Sequence, residues 1–281
     1  TYKALAESFA PIIDKTERIK FSDEPSGQPY SHYQTCEFCR NKFREDLRAS
    51  GLTPQQLGVT SWDQVVPVMP EDSEKHPELF YYTGLFRLQS FANLLKAAVA
   101  AKNKYMPKTV ASYVNYSPPM SEQLTWTQRG NDLFMDQRNG ALELGWTEDW
   151  LGYGASSQQM SPIYSQLRAA GAPTNEPLGG YMVAVSGGAN LLRMKYYEMI
   201  AGGLRHINVY GYGPYYANVD SWGALYDIFP TIANVQRELA KIDEPLYGTK
   251  RHKTDIAILY NRTAGIWLKD NSSSEQDARY I

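Results

Sequence analysis

Apolar and polar residues follow two alternating patterns along this chain. Short runs rich in β-branched and aromatic residues are typical of strands, and they alternate with longer segments whose apolar residues recur every three or four positions. The clearest of these segments, 82–104, places Leu85, Leu88 and Leu95 on one helical face. The alternation predicts an α/β fold with parallel strands and crossover helices. Strands are predicted over 18–21, 109–116, 141–146, 181–185 and 206–210, and helices over 4–16, 37–49, 82–104, 161–170, 191–202 and 222–242.

The same pattern predicts one long domain and the start of another. Five strand and helix units extend to residue 242, whereas a closed (β/α)₈ TIM barrel needs eight units in about 250 residues. We therefore expect 1–242 to be the C-terminal five units of such a barrel, with about three strands missing at the front. Asp243-Glu244-Pro245 indicates a linker over 243–254. The apolar run at 255–260 predicts the first strand of a second α/β domain over 255–281.

The composition narrows the classes of partner. The chain has 281 residues and a formal net charge of −2, so no basic nucleic-acid interface is predicted. No apolar run approaches the roughly 18 residues of a membrane span. The aromatic residues are 21 Tyr and 6 Trp against 9 Phe. Rings with a polar edge suit sugars, because they offer both an apolar face and a hydrogen bond, although ordinary packing of tyrosines explains the same count.

Asp23 and Glu24 follow the first predicted strand directly and precede Pro25. Two adjacent carboxylates repel each other and burial desolvates both, so we expect one of the two to have a raised pKa. A carboxyl group with a raised pKa is suited to general acid catalysis. A solvated acidic turn before a proline is the alternative interpretation of the same residues.

The residues after this pair carry a family resemblance. Asp23-Glu24 is followed by 36–44, Cys-Glu-Phe-Cys-Arg-Asn-Lys-Phe-Arg, and by Leu47. This order resembles the segment around the acid/base of glycoside hydrolase family 42, the β-galactosidase-like (β/α)₈ barrels. In that family an Asn-Glu pair ends the fourth strand, and a cysteine-bearing loop and a Phe-Arg-x-x-Leu helix follow. Residues 146–150 then resemble the end of the sixth strand of the family's barrel, and residues 201–210 resemble its eighth strand. The resemblance implies Glu24 as the general acid/base.

Three features depart from the family pattern, and two of them concern the carboxylate positions. Asp23 stands where the family has Asn, so a hydrogen-bond acceptor replaces an amide donor. The strand predicted over 181–185 corresponds to the seventh strand of the family's barrel. It ends without the carboxylate that serves the family as nucleophile. Glu148 and Asp149, at the end of the sixth strand, are the nearest replacements, as nucleophile or as base for a water. A separation of about 5 Å between the catalytic carboxyl groups favours a covalent intermediate, whereas roughly 6.5 to 9.5 Å leaves room for water.

Two alternatives explain the same departures. In the first, Asp23 orients the acetamido group of an N-acetylhexosamine, so that the substrate itself supplies the nucleophile and Glu24 protonates the leaving group. Family 20 hexosaminidases use a similar Asp-Glu pair. In the second, the absent carboxylate indicates a barrel that binds carbohydrate without catalysis.

The third departure is that Cys36 and Cys39 are the two cysteines of the chain, whereas family 42 loops typically offer more thiols. A structural zinc site takes four ligands; His32 offers a third, and a fourth is not evident. A disulfide across the Cys-x-x-Cys spacing, or two free thiols, explains the pair at least as well. The sequence therefore predicts neither a metal nor a cofactor.

Substrate contacts are expected at the carboxyl ends of the strands, which in a barrel converge on one face. Aromatic side chains there can stack on the apolar face of a sugar, although core packing also explains tryptophans at these positions. The expected contacts are Asn115 and Tyr116 after the fifth strand, Trp146 and Trp150 around the acidic pair, and Tyr210 and Tyr212 after the eighth.

Taken together, the residues and the resemblance predict a hydrolase of β-linked, galactoside-like bonds in an oligo- or polysaccharide. The expected partner is the carbohydrate substrate, and neither nucleic acid nor a membrane is expected. Whether the chain forms a homo-oligomer stays open. The compartment also stays open, with a secreted or periplasmic location slightly favoured.

Overall fold

The structure is a computed structural model in which the chain divides into two compact units. The first unit comprises Thr1–Val114, Ser121–Glu143 and Asn261–Ile281, and the second comprises Asn115–Met120 and Leu144–Tyr260. Helices and small parallel sheets build the chain, so the predicted α/β class is confirmed, while the assignment to the C-terminal five units of a (β/α)₈ barrel stays a prediction. The structure describes residues 2–116, 127, 129–150, 156–171, 177–184, 188–211, 228–248, 255, 257 and 259–267.

Helices and strands alternate through most of the described chain. β1 pairs with β2, and β3, β4 and β5 form a three-stranded sheet in that order. In chain order the elements are α1 (Tyr2–Phe9), β1 (Arg18–Asp23), α2 (Tyr30–Thr35), α3 (Glu37–Ala49), α4 (Pro77–Tyr105), β2 (Ala111–Asn115), α5 (Leu133–Arg138), β3 (Gly145–Asp149), α6 (Ser157–Gly171), β4 (Leu178–Val183), α7 (Gly188–Ala201), β5 (His206–Tyr210), α8 (Ile228–Ala240), α9 (Asp243–Gly248) and α10 (Arg262–Trp267).

Two of these elements, α3 and β5, have the predicted bounds, and others are shifted. β3 begins at Gly145 rather than at residue 141, because the preceding apolar residues Leu142 and Leu144 are buried without joining a strand. Burial alone produces an apolar run, whereas a strand also needs a partner for its backbone. The expected linker begins as helix α9, whose first turn tolerates Pro245 because no intrahelical N–H is needed there.

The strand expected over 255–260 is not observed at the described positions. Residues 255, 257, 259 and 260 lie outside any strand, and Leu259 is 84% exposed. Residues 262–267, which were assigned to the second domain from the sequence, form helix α10 and belong to the first unit. Its Ile266 is buried in that unit's core and contacts Gly84, where a Cβ atom would lie 2.5 Å from Ile266 Cγ2.

Helix α4 is the longest element of the first unit, with 29 residues. Pro77 occupies its first position, where a missing N–H costs nothing, and Glu78 lies in the first turn, near the positive end of the helix dipole. None of the described helices is both long and apolar enough to cross a membrane. The core that α4 shares with α2, α3 and α10 consists of Tyr33, Phe43, Leu47, Leu57, Val65, Val68, Leu79, Phe80, Phe86, Leu88 and Ile266.

The second unit is built on three parallel strands. β3 pairs with β4 in a register that places Gly145 opposite Leu178, and β4 pairs with β5 so that Gly179 lies opposite His206. Tyr116 adds an isolated parallel bridge to Thr147. Because parallel neighbours need a crossover connection, α6 follows β3 and α7 follows β4, as the alternating pattern predicted.

A buried ion pair stabilises the first unit. Lys102 of α4 is fully buried, and its Nζ donates to Glu143 Oε2 and to the Val110 carbonyl, each at 2.5 Å. The carboxylate also accepts hydrogen bonds from the N–H and O–H groups of Ser112 and from the Asn103 amide. Burial opposes ionisation of Glu143, but these hydrogen bonds hold its pKa below the ordinary value.

We expect Glu143→Ala to lower the free energy of unfolding by about 3 kcal/mol, because it leaves the Lys102 ammonium buried without its counter-ion. Glu45→Ala is the matched control, since Glu45 is exposed and lies in a surface pair with Lys42. Its expected effect is below about 0.5 kcal/mol. Urea denaturation measures both values. Equal effects of the two substitutions would contradict a stabilising role for the buried pair.

The lowered pKa of Glu143 also predicts a pH dependence. A carboxyl group whose folded-state pKa lies below its unfolded value adds stability above the unfolded value and loses it as the pH falls through the folded value. The difference in unfolding free energy between the unmodified chain and Glu143→Gln should therefore be steady from about pH 7 to about pH 5.5 and shrink below about pH 4.3. Urea denaturation across this pH range tests the predicted pH dependence. A difference in unfolding free energy that stays constant down to about pH 3 would refute it.

Candidate functional site

Glu148 lies near the carboxyl end of β3 and is 9% exposed. Asn115, which belongs to the same unit, donates from Nδ2 to Glu148 Oε1 at 2.5 Å. Trp150 donates from Nε1 to Glu148 Oε2 at 2.7 Å. Both carboxyl oxygens therefore accept N–H hydrogen bonds, as an ionised carboxylate does. A carboxylate held in one orientation at a strand end is suited to act as a nucleophile or as a base.

The sheet face that carries Glu148 also carries a row of aromatic rings. Side chains alternate between faces along a strand, so Trp146 and Glu148 share one face, and Tyr181 of β4 lies opposite Glu148. The Tyr181 ring contacts Trp146 with centroids 5.0 Å apart and Tyr210 of β5 with centroids 5.8 Å apart. Trp146 is fully buried, whereas Tyr210 is 37% exposed. The row thus leads from the core to solvent.

Two residues of this face were absent from the sequence prediction. Tyr181 contacts both rings of the row, and Asn208 of β5 lies opposite Tyr181 in the ladder. The period of two along each strand could have shown which residues share a face within a strand. Only the pairing register shows which residues of β4 and β5 lie beside Glu148.

Asp149 lies on the opposite face of β3, the face covered by helices. It is fully buried, and its carboxylate accepts the hydrogen bond of the Tyr164 hydroxyl from α6. Burial raises the pKa of Tyr164, and the negative charge of Asp149 raises it further, so the phenol keeps its proton and remains a donor. Of the two carboxylates predicted at this strand end, only Glu148 therefore shares a face with Tyr181.

The surroundings of Asp149 form a polar network between the sheet and the helices of the second unit. Lys195 of α7 is buried and donates from Nζ to the Val183 carbonyl. Burial lowers the pKa of Lys195, while the carboxylates of Asp149 and Glu198 oppose that shift. Burial raises the pKa of Glu198, and the charge of Asp149 adds to the effect. These contacts support a structural role for Asp149.

Asp23 and Glu24 lie at the end of β1 in the first unit, as predicted, but both are exposed. This exposure removes the desolvation that the sequence argument required. Asp23 pairs with Lys20, with Nζ to Oδ1 at 3.1 Å. Glu24 has a backbone φ of +40°, which is uncommon outside glycine, and such conformations concentrate at functional sites. Pro25 is buried, and its carbonyl accepts a hydrogen bond from the Asn131 side chain.

Three of the expected substrate contacts need comment. Tyr116 and Trp146 are buried, so neither ring offers a face for stacking, and that expectation is corrected for both. Tyr116 instead joins β3 through its backbone, since its carbonyl accepts the Thr147 hydroxyl at 3.0 Å. Tyr212 lies outside the described residues.

Among the residues that the structure describes, one group brings three metal-ligating side chains together. It consists of His32, Cys36 and Cys39, whose ligand atoms lie within 4.8 Å of one another, and all three belong to the first unit. Both cysteines are free thiols.

Comparison with known proteins leaves the family of this chain open. No family model matches it, and neither does any curated protein. The resemblance to glycoside hydrolase family 42 therefore stays a prediction.

Tyr164→Phe should lower the free energy of unfolding by about 1.5 to 3 kcal/mol, because it removes a hydrogen bond to a buried carboxylate. Tyr105→Phe is the control, since Tyr105 is exposed at the end of α4, and its expected effect is below about 0.5 kcal/mol. Chemical denaturation followed by circular dichroism gives both values. A Tyr164→Phe chain as stable as the unmodified chain would argue against the structural role of Asp149.

Proposed function

We propose that the chain is part of a glycoside hydrolase with a (β/α)₈ barrel, acting on a β-linked, galactoside-like bond in an oligo- or polysaccharide. The observation that carries the proposal is the arrangement around Glu148. A nearly buried carboxylate is held by the N–H groups of Asn115 and Trp150, on a face that leads to the exposed ring of Tyr210.

Glycosidic hydrolysis needs two carboxyl groups with different tasks. The family resemblance supplies Glu24 as the proposed acid/base: it donates a proton to the glycosidic oxygen while the bond from that oxygen to the anomeric carbon breaks. Glu148 is the proposed partner. It either attacks the anomeric carbon, giving a glycosyl ester that water then hydrolyses, or takes a proton from a water that attacks directly. The two N–H donors orient Glu148 for either task.

The aromatic residues supply the sugar-binding part of the proposal. Trp150 is half-buried and Tyr210 exposed, and both belong to the unit that carries Glu148. A sugar places its C–H groups on such rings, and the hydroxyl of a tyrosine can bind a sugar hydroxyl. Asn208, in the middle of β5, adds an amide that can donate to one hydroxyl and accept from another.

A barrel that binds carbohydrate without catalysis is the second candidate. The observation that favours it is the exposure of Asp23 and Glu24, since a general acid benefits from a desolvated carboxyl group. The hexosaminidase alternative, in which Asp23 orients an acetamido group, stays a prediction from the sequence.

The test uses aryl β-glycosides of galactose, glucose and N-acetylglucosamine with the full-length protein. Glu148→Gly should lower turnover by at least about 100-fold, and azide should restore it by forming a glycosyl azide. Glu24→Gln should also lower turnover by about 100-fold or more, most strongly for poor leaving groups. Glu17→Gln is the matched control, because Glu17 is an exposed acidic residue just before β1.

The outcomes of these measurements test the two residue roles and distinguish the two candidate functions. Unchanged turnover in Glu24→Gln would exclude Glu24 as acid/base, and unchanged turnover in Glu148→Gly would exclude Glu148 as partner. Proton NMR of the first product formed distinguishes retention from inversion at the anomeric carbon. Sugar binding by calorimetry without turnover on the whole panel would favour the non-catalytic candidate.

A further inference from the structure

The loop that carries Glu24, residues 24–28 of the first unit, has a strained backbone at its first residue. Glu24 has a φ of +40°. It also precedes Pro25, and a proline restricts the residue before it to extended conformations with negative φ. A residue with a side chain keeps a positive φ only where surrounding contacts hold it there. The contacts of this loop should therefore show what holds Glu24 in place.

Pro25 is held by a side chain that is distant in the sequence. Pro25 is buried, although the adjacent Glu24 is exposed. The Pro25 carbonyl accepts a hydrogen bond from Nδ2 of Asn131, which is fully buried and precedes helix α5 in the same unit. A buried carbonyl that loses such a donor is left without water to replace it. Asn131 therefore fixes the backbone one residue beyond Glu24.

The next contact joins the backbone of the loop directly to the segment that carries Asn131. The Gly27 N–H donates to the Arg129 carbonyl at 2.7 Å. A Cβ atom at Gly27 would lie 2.8 Å from the Gly130 carbonyl oxygen, which is closer than a side chain can approach. Glycine allows two backbones to meet at this distance because it has no Cβ. The loop and residues 129–131 thus form one packed unit.

The far end of the loop is held by helix α4. Arg87 of α4 is 3% exposed, and its Nε donates to the Gln28 carbonyl at 3.1 Å. Its guanidinium group also lies over the ring of Tyr30, 3.9 Å from the centroid. The pairing of β1 with β2 holds the chain before Glu24. The loop is therefore anchored on both sides of the strained residue.

We propose that Asn131 is a positioning residue for Glu24, an inference that rests on the proposed role of Glu24 as acid/base. Without the Asn131 donor, Glu24 relaxes toward the extended backbone that is favoured before a proline, with φ near about −75°. Rotation about its N–Cα bond then turns the carboxyl group away from its present direction. Asn131 is fully buried, so it acts through Pro25 rather than on the substrate.

The kinetic test uses the full-length protein and aryl β-galactosides whose leaving groups differ in pKa. A misplaced general acid slows cleavage most where the leaving group most needs a proton. For the poorest leaving group, Asn131→Ala should therefore lower kcat and kcat/KM together by at least about 10-fold, with a smaller loss for the best one. Asn139→Ala is the matched control, because Asn139 is an exposed asparagine close in sequence, and its kinetics should be unchanged.

A second variant and a structural measurement keep the proposal testable if Asn131→Ala does not fold. Gly27→Ala pushes the loop away from Gly130 and should give the same dependence on the leaving group. A crystal structure of whichever variant folds gives the φ of Glu24 directly, and we expect a negative value. This measurement does not depend on turnover.

The outcomes separate a failure of this inference from a failure of the proposed function. Unchanged turnover in Glu24→Gln would remove the acid/base role, and the positioning role would fall with it. Lost turnover in Glu24→Gln, together with an unchanged leaving-group dependence in the folded Asn131→Ala chain, would reduce Asn131 to a structural residue. A positive φ of Glu24 retained in the variant crystal would do the same. In both of these cases the proposed function would stand.

Discussion

The register of the three parallel strands β3, β4 and β5 is the constraint on which the candidate site depends. Since side chains alternate along a strand, the register decides which residues of neighbouring strands share a face. Glu148 therefore lies beside Tyr181, while Asp149, one residue later, is directed at α6. A shift of one residue in β3 would exchange the two carboxylates. The helix face would then hold Glu148 in place of the smaller Asp149, away from its present N–H donors.

Three acidic residues show how a buried charge is tolerated in this chain. Asp149 accepts a hydrogen bond from the Tyr164 hydroxyl, and Glu143 accepts one from the Lys102 ammonium. Glu148 accepts hydrogen bonds from two N–H groups. Each carboxylate has the partners that compensate for its lost hydration. The partners differ in accessibility. Asp149 is enclosed, whereas Glu148 shares a sheet face with an aromatic row that reaches solvent at Tyr210, and this difference favours Glu148 over Asp149 for the proposed chemical role.

The metal-ligating cluster depends on local geometry rather than on the sheet. His32, Cys36 and Cys39 are seven residues apart at most, and two helix ends set their positions. Such a cluster is visible in the sequence as a spacing. The sequence left a disulfide, two thiols and a zinc site open because the same spacing serves all three. The structure narrows the choice, since it holds two free thiols and directs the imidazole at one of them.

The sequence by itself determined the α/β class, the bounds of α3 and β5 and the presence of acidic residues at two strand ends, because hydrophobic period and local caps encode these features. It could not determine which carboxylate faces the aromatic row, because Glu148 and Asp149 are adjacent and equally acidic. It also could not show that Trp146 is buried or that Asp23 and Glu24 are exposed. The placement of Glu148 and Asp149 and the burial of Trp146 depend on residues distant in the chain, such as Asn115, Tyr164 and Tyr181. Only tertiary structure, through strand register and helix packing, brings such residues into contact.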